Sequence, residues 1–458
     1  MGKQSRSKPL TTIKWRLFLI PLAYVAVFTA YRTRFHQWTT RVPNHLEAGP
    51  EKHVPKNNKD SQKHLLGRLL GGDERLKLET TQFACDNATH VGFCVANQQV
   101  RIDTANLKVY MCSYNQPETL VRPYPSEYIA LTNTYITPVR ILKGNITKTP
   151  ESCHYTHLVP VIVFSSGIIG NIFHEISEII IPLFLTSRHF QSSVQFIVTD
   201  YHLQFVKKYN QVLKHLSNYQ VIRTGSKTGT HCFPGAVIGL KYHDHLALDP
   251  ESNPKNYTIL HFKQFLRESY SLKFKNAGEI KKPVLLLVSR KDSRVFVNEN
   301  EMVKMMKDMG FQVIIRDGKY MSNLDVFSKV INSCNVMIGA HGAGLTNMVF
   351  LPEDSVYIQV IPYALKWPAD TYYGRVPATK MGLKYMEYNI VVEESSLIDS
   401  YGPNHTVITD PGSIHAKGYE AVRSVYLSQN MTIDLSELKE TLVEALDHLG
   451  EKDLITVS

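Results

Sequence analysis

The chain has 458 residues and a net charge of +10, with 43% hydrophobic and 20% charged residues. These are the proportions of a globular protein long enough for two or three domains. Residues 1–80 carry 15 lysines and arginines against six acidic residues, so the remainder is close to neutral. Because that remainder lacks a basic patch with interleaved aromatic residues, the composition argues against nucleic-acid binding.

An apolar stretch follows the basic first residues. It reads LFLIPLAYVAVFTA from Leu17 to Ala30, and no clear cleavage pattern of small residues comes after it. Its length fits the core of a cleaved signal peptide or a short span in a thin membrane, and the missing cleavage pattern favours the anchor. We predict a cytosolic tail (1–16), a signal-anchor transmembrane helix (17–31) and a polar stem (32–80), with the remaining residues lumenal.

Cysteines and sequons agree with a lumenal location. The six cysteines include no CxxC pair, which favours disulfides over a zinc ribbon and leaves the pairing open. Cys334 is a candidate free thiol, since it directly precedes a strand-like run. Five N-x-Ser/Thr sequons predict glycosylation at Asn87, Asn145, Asn256, Asn404 and Asn430.

In the first half, a strand-like run leads into a helix that carries titratable groups. Leu158–Phe164 predicts a buried strand, and NIFHEISEIIIPLF (Asn171–Phe184) predicts a helix. His174 and Glu178 are four residues apart and share a helical face. With Glu175, they are candidates for a general base and its orienting partner. The alternative is a carboxylate that stabilises the helix start, beside a structural histidine.

A second series of alternating strands and helices follows a segment rich in proline and glycine near residues 250–283. Its first strand, Val284–Val288, is followed by Ser289, Arg290 and Arg294, and arginine is suited to forked contacts with phosphates. The further predicted elements are the helices Asn298–Met309 and Leu324–Ile331, the strands Gln195–Thr199, Phe311–Ile315, Val336–Ile338, Ser355–Ile361 and Tyr385–Ile390, and the helical stretches His202–Leu216 and Leu435–Leu449.

A glycine-rich turn after Val336–Ile338 suits an anion. Glycines allow a close approach to the backbone, and the N–H groups at a helix start favour negative charge. The turn and the arginines both follow strands, where ligands bind in open α/β sheets. Glu394, after a later strand, is a candidate ribose contact or a cap. The predicted ligand site comprises Ser289, Arg290, Arg294, His341, Gly342, Ala343, Gly344, Leu345, Asn347 and Glu394.

Four blocks resemble a known family when taken in order. The blocks Asn171–Phe184, SRKDSRVFVNE (Ser289–Glu299), GAHGAGLTNMVFLP (Gly339–Pro352) and Asp410–Leu435 are similar to glycosyltransferase family 61. The plant branch that decorates xylan in the Golgi is the best match, over residues from about Gln82 to the C-terminus.

The resemblance implies the fold and the cellular setting. We expect an α/β protein of GT-B type, with two Rossmann-like domains facing a cleft. Residues 81–265 would bind the acceptor and residues 266–458, with a C-terminal helix, the nucleotide sugar. The protein would be a single-pass type II membrane protein of the Golgi, and an oligomer is compatible with the sequence.

The resemblance also implies the reaction. It is an inverting transfer of a pentose from UDP-xylose or UDP-arabinofuranose to a xylan-type cell-wall polysaccharide, with His174 or Glu175 as the favoured base. Relatives often carry aspartate in place of Glu175, which changes the reach of that carboxylate by one methylene. The chain has no Asp-x-Asp triplet, and Arg290, Arg294 and His341 can neutralise a diphosphate, so no divalent metal or other cofactor is expected.

Other functions remain open at this point. They are a catalytically silent lumenal scaffold or polysaccharide-binding protein of a Golgi complex, and a transferase acting on N-glycans. A dehydrogenase is disfavoured because no G-x-G-x-x-G follows an N-terminal strand. Because a pentose lacks the exocyclic hydroxymethyl group, a bulky residue such as Trp367, Tyr372 or Tyr373 is a candidate for closing the sugar pocket.

Overall fold

A computed structural model describes residues 59–86, 92–111, 118–127, 129–143, 152–225, 229–248, 250–251, 253 and 256–451. The predicted tail and membrane anchor, Asn87, Asn145 and Cys112 lie outside these residues. Within the described part, no helix combines the length and apolar character that crossing a bilayer requires. The division at residues 265 and 266 stays a prediction.

The secondary structure alternates between strands and helices, which confirms the α/β class. The strands are β1 (Phe83–Asp86), β2 (Phe93–Ala96), β3 (Val100–Asp103), β4 (Lys108–Met111), β5 (Thr119–Val121), β6 (Val139–Lys143), β7 (Tyr155–Thr156), β8 (Val161–Ser165), β9 (Gln195–Thr199), β10 (Ile222–Arg223), β11 (Thr230–Phe233), β12 (Ala236–Ile238), β13 (Val284–Val288), β14 (Gln312–Arg316), β15 (Val336–Ala340), β16 (Val356–Ile361) and β17 (Lys384–Asn389).

The helices lie between and around these strands. They are α1 (Lys59–Gly67), α2 (Gly72–Thr81), α3 (Ile129–Tyr135), α4 (Ile172–His174), α5 (Ile181–Ser187), α6 (Leu203–Lys208), α7 (Asn210–Leu216), α8 (Ile259–Tyr270), α9 (Glu299–Asp308), α10 (Leu324–Asn332), α11 (Lys366–Tyr373), α12 (Arg375–Lys380), α13 (Ser396–Tyr401), α14 (Thr406–Thr409), α15 (Pro411–His415), α16 (Tyr419–Val425) and α17 (Leu435–Leu449). A π-helical segment spans Glu175–Ile180, and 3₁₀ segments span Arg188–Phe190, Ala277–Glu279, Gly318–Ser322, Ala343–Phe350 and Val392–Glu394.

The first half contains two six-stranded sheets in the described residues. In the order β1-β2-β12-β8-β9-β10, the last four strands are parallel and β1 and β2 form an antiparallel extension. The other sheet has the order β5-β6-β4-β3-β11-β7. A simple Rossmann-like first half accounts for the four parallel strands and not for the second sheet. Disulfides join Cys85 to Cys94 and Cys153 to Cys232, whereas Cys334 is a buried free thiol.

The end of the predicted stem belongs to the folded part. Residues 59–81 form α1, a short turn and α2, and Leu66 of α1, Leu69 of the turn and Leu78 of α2 are buried in the core. The hydrophobic burial of these leucines outweighs the polar character of the surrounding sequence. The prediction of a stem that extends to residue 80 is therefore wrong for residues 59–80.

The second half is a five-stranded parallel sheet of order β14-β13-β15-β16-β17. All five residues of β13 are buried, which is the pattern of a parallel strand covered on both faces. Leu286 joins one core cluster, and Leu285 and Leu287 join the other. Met302 and Met306 of α9 pack into the latter, as filler of the core.

The strand order of this sheet creates a crevice. The chain passes from β13 to β14 on one side and then to β15 on the other side of β13, so the order reverses between β13 and β15. In open α/β sheets, ligands bind outside the carboxyl ends of the strands at such a point. Val288 pairs with Gly339 at these ends, which brings the arginine loop beside the glycine turn.

Candidate active site

A cleft of about 1520 Å³ opens at the carboxyl ends of β13 and β15. Small-molecule pockets usually measure roughly 300–1,000 Å³, so this cleft has room for more than one substrate. Both halves line it. The lining comes from residues 169–175 and 204–208 in the first half and from 288–294, 318–325, 341–344, 365–373 and 415–427 in the second.

The guanidinium groups of two arginines approach Gly342 in this cleft. Gly342 has φ +143°, and a Cβ there would lie 2.8 Å from Nη1 of Arg294 and 3.1 Å from Nη1 of Arg290. Nη1 of Arg294 donates to the carbonyl of His341 (2.8 Å), and Nε of Arg290 donates to the carbonyl of Ser293 (2.8 Å). Only glycine at position 342 leaves space for both guanidinium groups.

The arginine pair concentrates positive charge where water is scarce. Burial, followed by the proximity of Arg290, lowers the pKa of Arg294 to about 10, and burial also lowers the pKa of Arg290. Both therefore remain charged at neutral pH. Nε of Arg294 is buried without a hydrogen-bond partner in the described part of the chain. A buried donor of this kind favours an anionic ligand, and a diphosphate matches two forked cations.

His341 adds a neutral donor. Nε2 of Gln359 donates to Nδ1 of His341 (3.1 Å), which leaves the histidine proton on its own Nε2. Burial, with the positive charge of Arg294 and Arg290, lowers the pKa of His341 to about 3. The imidazole is therefore uncharged at physiological pH and can donate a hydrogen bond to a phosphate.

The segment after the glycine turn differs from the predicted α-helix start. Ala343–Phe350 is a 3₁₀ helix, and the N–H of Leu345 already donates to the carbonyl of Gly342 (2.9 Å). Leu345 and Asn347 are fully buried and outside the cleft lining, and Nδ2 of Asn347 donates to the carbonyl of Gly344 (2.8 Å). Both residues therefore support the turn from beneath.

Glu394 also lies away from the cleft lining. Its oxygens accept from the Tyr388 hydroxyl (2.6 Å), the Val391 N–H (3.1 Å) and the Asp434 N–H (2.8 Å). These bonds fit the capping alternative, because they tie the end of β17 to the start of α17. Ser289 lines the cleft and its hydroxyl donates to Glu299.

A π-helical segment shapes the opposite side of the cleft. Residues 172–187 run as one helix in which the N–H of Ile181 bonds to the carbonyl of Ile176, five residues back. Pro182 supplies the physical reason. It has no N–H to donate to the carbonyl four residues earlier, and its ring would press on that carbonyl, so the helix widens before it.

The three candidate catalytic groups have different surroundings. Nδ1 of His174 lies 3.0 Å from Oε1 of Glu178, and the His174 side chain is 22% exposed. Glu178 is buried and accepts from the Tyr124 hydroxyl (2.6 Å) and the Ser126 hydroxyl (3.0 Å). The predicted shared face of His174 and Glu178 is confirmed, and the arrangement is that of a base held by an orienting carboxylate.

Glu175 lines the cleft but is heavily engaged. Oε1 accepts from the Gly170 N–H (2.9 Å), and Oε2 accepts from Nζ of Lys208 (2.6 Å) and from the Tyr209 hydroxyl (2.8 Å). Three donors therefore hold both carboxylate oxygens of Glu175 in place. The geometry favours His174 over Glu175 as the base.

Several residues of this site carry no recognisable sequence signal. Tyr124, Ser126, Lys208, Tyr209 and Gln359 complete the hydrogen-bond networks although none belongs to a spaced motif. Tyr124 and Ser126 lie more than fifty positions from Glu178 and reach it only through the tertiary fold.

The aromatic residues suggested for the sugar pocket all line the cleft. The Tyr372 and Tyr373 rings lie 5.3 and 5.6 Å from the Phe173 ring, beside His174. The Tyr373 hydroxyl lies 3.3 Å from that of Thr346, whereas Trp367 is 70% exposed.

Three predicted glycosylation sites fall in the described residues. Asn256 and Asn404 are exposed, as an attached glycan requires. Asn430 is half-buried and its Oδ1 accepts from the Val295 N–H (3.1 Å). It lies against the arginine loop and is a poorer acceptor on these grounds.

Comparison with known proteins places this cleft in a family. The family model described as glycosyltransferase 61 matches residues 170–358, which include both sides of the cleft. The chain is 39% identical over 339 residues to the alpha-1,3-arabinosyltransferase XAT2 of Oryza sativa subsp. japonica, covering 72% of this chain and 58% of the relative. It thus spans little more than half the length of that protein.

Two other relatives are covered more completely. The beta-1,2-xylosyltransferase XAX1 of Oryza sativa subsp. japonica is 31% identical over 414 residues, covering 84% of this chain and 70% of the relative. The xylan glycosyltransferase MUCI21 of Arabidopsis thaliana is 30% identical over 399 residues, covering 81% and 79%. The chain belongs to glycosyltransferase family 61.

Proposed function

We propose that this protein transfers a pentose, xylose or arabinofuranose, from a UDP-sugar to a xylan-type cell-wall polysaccharide. The observation that carries the proposal is one cleft that holds both the Arg290–Arg294 pair against Gly342 and the His174–Glu178 pair. The first suits a diphosphate and the second suits removal of a proton. The relatives named as arabinosyl-, xylosyl- and xylan glycosyltransferases support the pentose and the acceptor.

The proposed chemistry is a single displacement. His174 takes the proton of an acceptor hydroxyl, and Glu178 stabilises the imidazolium that forms. The hydroxyl oxygen bonds to the anomeric carbon while the bond from that carbon to the UDP oxygen breaks, which inverts the centre. The negative charge that develops on the leaving diphosphate is stabilised by Arg290, Arg294 and His341.

No divalent metal is required in this scheme. Two guanidinium groups and a neutral imidazole donor supply the charge and the hydrogen bonds that a metal would otherwise give. The described residues contain no group of three or more His, Cys, Asp and Glu side chains that could hold a metal ion. A GT-B arrangement agrees with a cleft lined by both halves of the chain.

We also propose a lumenal location at the Golgi membrane. Two disulfides and the exposed sequons at Asn256 and Asn404 support an oxidising, glycosylating compartment. The anchor itself remains the sequence-based expectation for residues 17–31.

Binding of UDP tests the proposal. The thermal stability of the full chain in detergent is measured with UDP, UDP-xylose and UDP-arabinofuranose, each with EDTA and with manganese. We expect UDP to raise the melting temperature equally under both conditions and to lose this effect in Arg294→Ala. Stabilisation that needs manganese would contradict the metal-free scheme, and no stabilisation by any nucleotide would contradict the transferase.

A further inference from the structure

The Asp410–Leu435 run forms part of the cleft wall. It contributes His415, Gly418, Tyr419, Val422 and Leu427, next to the arginine pair and Gly342. None of these five residues is an arginine or a lysine, the residues that usually bind a diphosphate. This part of the wall therefore suits a different portion of the ligand.

Hydrogen bonds fix this wall to the arginine loop. The N–H of Arg294 donates to the carbonyl of Gln429 (2.7 Å), and the N–H of Met431 donates to the carbonyl of Val295 (2.9 Å). Arg294 itself has φ +55°, a left-handed conformation that these bonds help to hold. The diphosphate site and the 415–427 wall consequently keep a fixed relation to each other.

Tyr419 presents an unusual amount of aromatic surface on this wall. It is 67% exposed, directly after Gly418 with φ +89°, and Val422 and Leu427 add half-buried apolar surface. Tyr419 and Arg294 line the same cleft, and the phenol interacts electrostatically with that guanidinium. An exposed aromatic face beside a phosphate site can stack a planar base.

The 415–427 wall differs in position from the part of the cleft that suits the sugar. Tyr372 and Tyr373 contact Phe173 beside His174, where the sugar must meet the base that activates the acceptor. The 415–427 wall instead bonds within the second half, where Nε2 of His415 donates to the carbonyl of Ala364 (2.8 Å). A nucleoside diphosphate sugar carries the transferred sugar at one end of its diphosphate and the nucleoside at the other, so the nucleoside is assigned to the 415–427 wall.

We infer that Tyr419, with Val422 and Leu427, forms the nucleobase subsite of this cleft, in which a pyrimidine ring stacks on the Tyr419 phenol. The inference rests on the proposed function, because it takes the ligand to be UDP or a UDP-sugar. It adds the part of the donor that the arginines and His341 do not explain.

Calorimetric binding of UDP to the full chain tests the subsite. Removing a base-stacking aromatic weakens binding roughly 5- to 150-fold, so we expect a loss of that order in Tyr419→Ala. Tyr419→Phe restores most of the lost affinity, because it keeps the ring. Tyr401→Ala, which removes another partly exposed tyrosine outside the cleft lining, is the matched control and binds UDP as the wild type does.

Inorganic pyrophosphate separates a base contact from a phosphate contact. Competition between pyrophosphate and UDP should show the same pyrophosphate affinity in Tyr419→Ala as in the wild type, whereas Arg294→Ala weakens both ligands. Unchanged UDP binding in Tyr419→Ala would overturn the subsite, and a weakening in Met321→Ala alone would place the base against the 318–325 segment of the cleft lining. Absence of UDP binding in the wild type is a different result, which overturns the proposed function itself.

Discussion

Nδ1 of His174 lies 3.0 Å from Oε1 of Glu178, on a helix that widens to a π-helix immediately after His174. The same carboxylate accepts from the Tyr124 and Ser126 hydroxyls. Oε1 of Glu178 thus contacts both the imidazole and the Ser126 hydroxyl, and Oε2 accepts from the Tyr124 hydroxyl. Nε2, the other ring nitrogen of His174, is therefore the atom that we propose as the proton acceptor.

Glu178→Gln tests the orienting role. The amide keeps the size of the side chain but removes the charge that stabilises the imidazolium, so turnover should fall roughly tenfold to a hundredfold, and by roughly 10²- to 10⁴-fold in His174→Ala. Steady-state kinetics with a UDP-pentose measure both. UDP affinity should be unchanged in both, and equal turnover in His174→Ala and the wild type would remove His174 from the mechanism.

Gly342→Ala tests whether the arginine pair against Gly342 binds the diphosphate. The added Cβ would lie 2.8 and 3.1 Å from the two guanidinium groups, at a φ of +143°. We expect UDP binding to be lost and the free energy of unfolding to fall by about 1–3 kcal/mol. Gly278→Ala is a matched control, since a Cβ there meets nothing within 4 Å and the backbone is not strained. Normal UDP affinity in Gly342→Ala would show that UDP does not bind at the arginine pair.

Two buried histidines predict how stability depends on pH. Burial lowers the pKa of both His243 and His341 to about 3, whereas an unfolded histidine titrates near pH 6.5. Their neutral forms therefore stabilise the fold fully above about pH 6.5, and this stability is lost as the pH falls toward 3. Each histidine contributes a slope of about 1.4 kcal/mol per pH unit in that window.

Urea unfolding at pH 7, 6 and 5 measures this slope. His243→Gln should lower the slope of unfolding free energy against pH by the contribution of one histidine, even if the variant is less stable at pH 7. An identical slope in His243→Gln and the wild type would mean that the pKa of His243 is the same in the folded and unfolded protein.

The two disulfides should contribute unequally. Cys153 and Cys232 are 79 residues apart, whereas Cys85 and Cys94 are nine apart. Because a longer loop restricts the unfolded chain more, Cys153→Ala should lower the free energy of unfolding by about 4 kcal/mol and Cys85→Ala by about 2.5 kcal/mol. Urea unfolding gives both values, and the reverse order would contradict an effect on the unfolded chain.

The second half was predicted well from the sequence because its parallel strands are buried on both faces. Val284–Val288 is a continuous apolar run and Gln195–Thr199, in the first half, is centred on one, and the structure matches both to the residue. In the first half, the residues from Val100 to Tyr135 indicate short strands and turns but not their pairing into a second sheet. Its strands are two to five residues long, too short for a period to be read.

The site was predicted in part, for a similar reason. Arg290, Arg294, His341 and His174 follow strands in obvious patterns, and the structure brings them into one cleft. The π-helical segment was missed because Ile-rich residues buried on all sides show no difference between helical periods. Tyr419 had no spacing signal, since its place depends on tertiary bonds to the arginine loop.

The central claim is pentose transfer by the His174 and arginine cleft. The most direct test of this claim is a mass measurement. The full chain is incubated in EDTA with a xylo-oligosaccharide and either UDP-xylose or UDP-arabinofuranose, and the mass of the oligosaccharide is followed. We predict a product heavier by one pentose with one of the two donors, absent in His174→Ala and in Arg294→Ala. No mass increase with either donor, under conditions where UDP binds, would contradict the account.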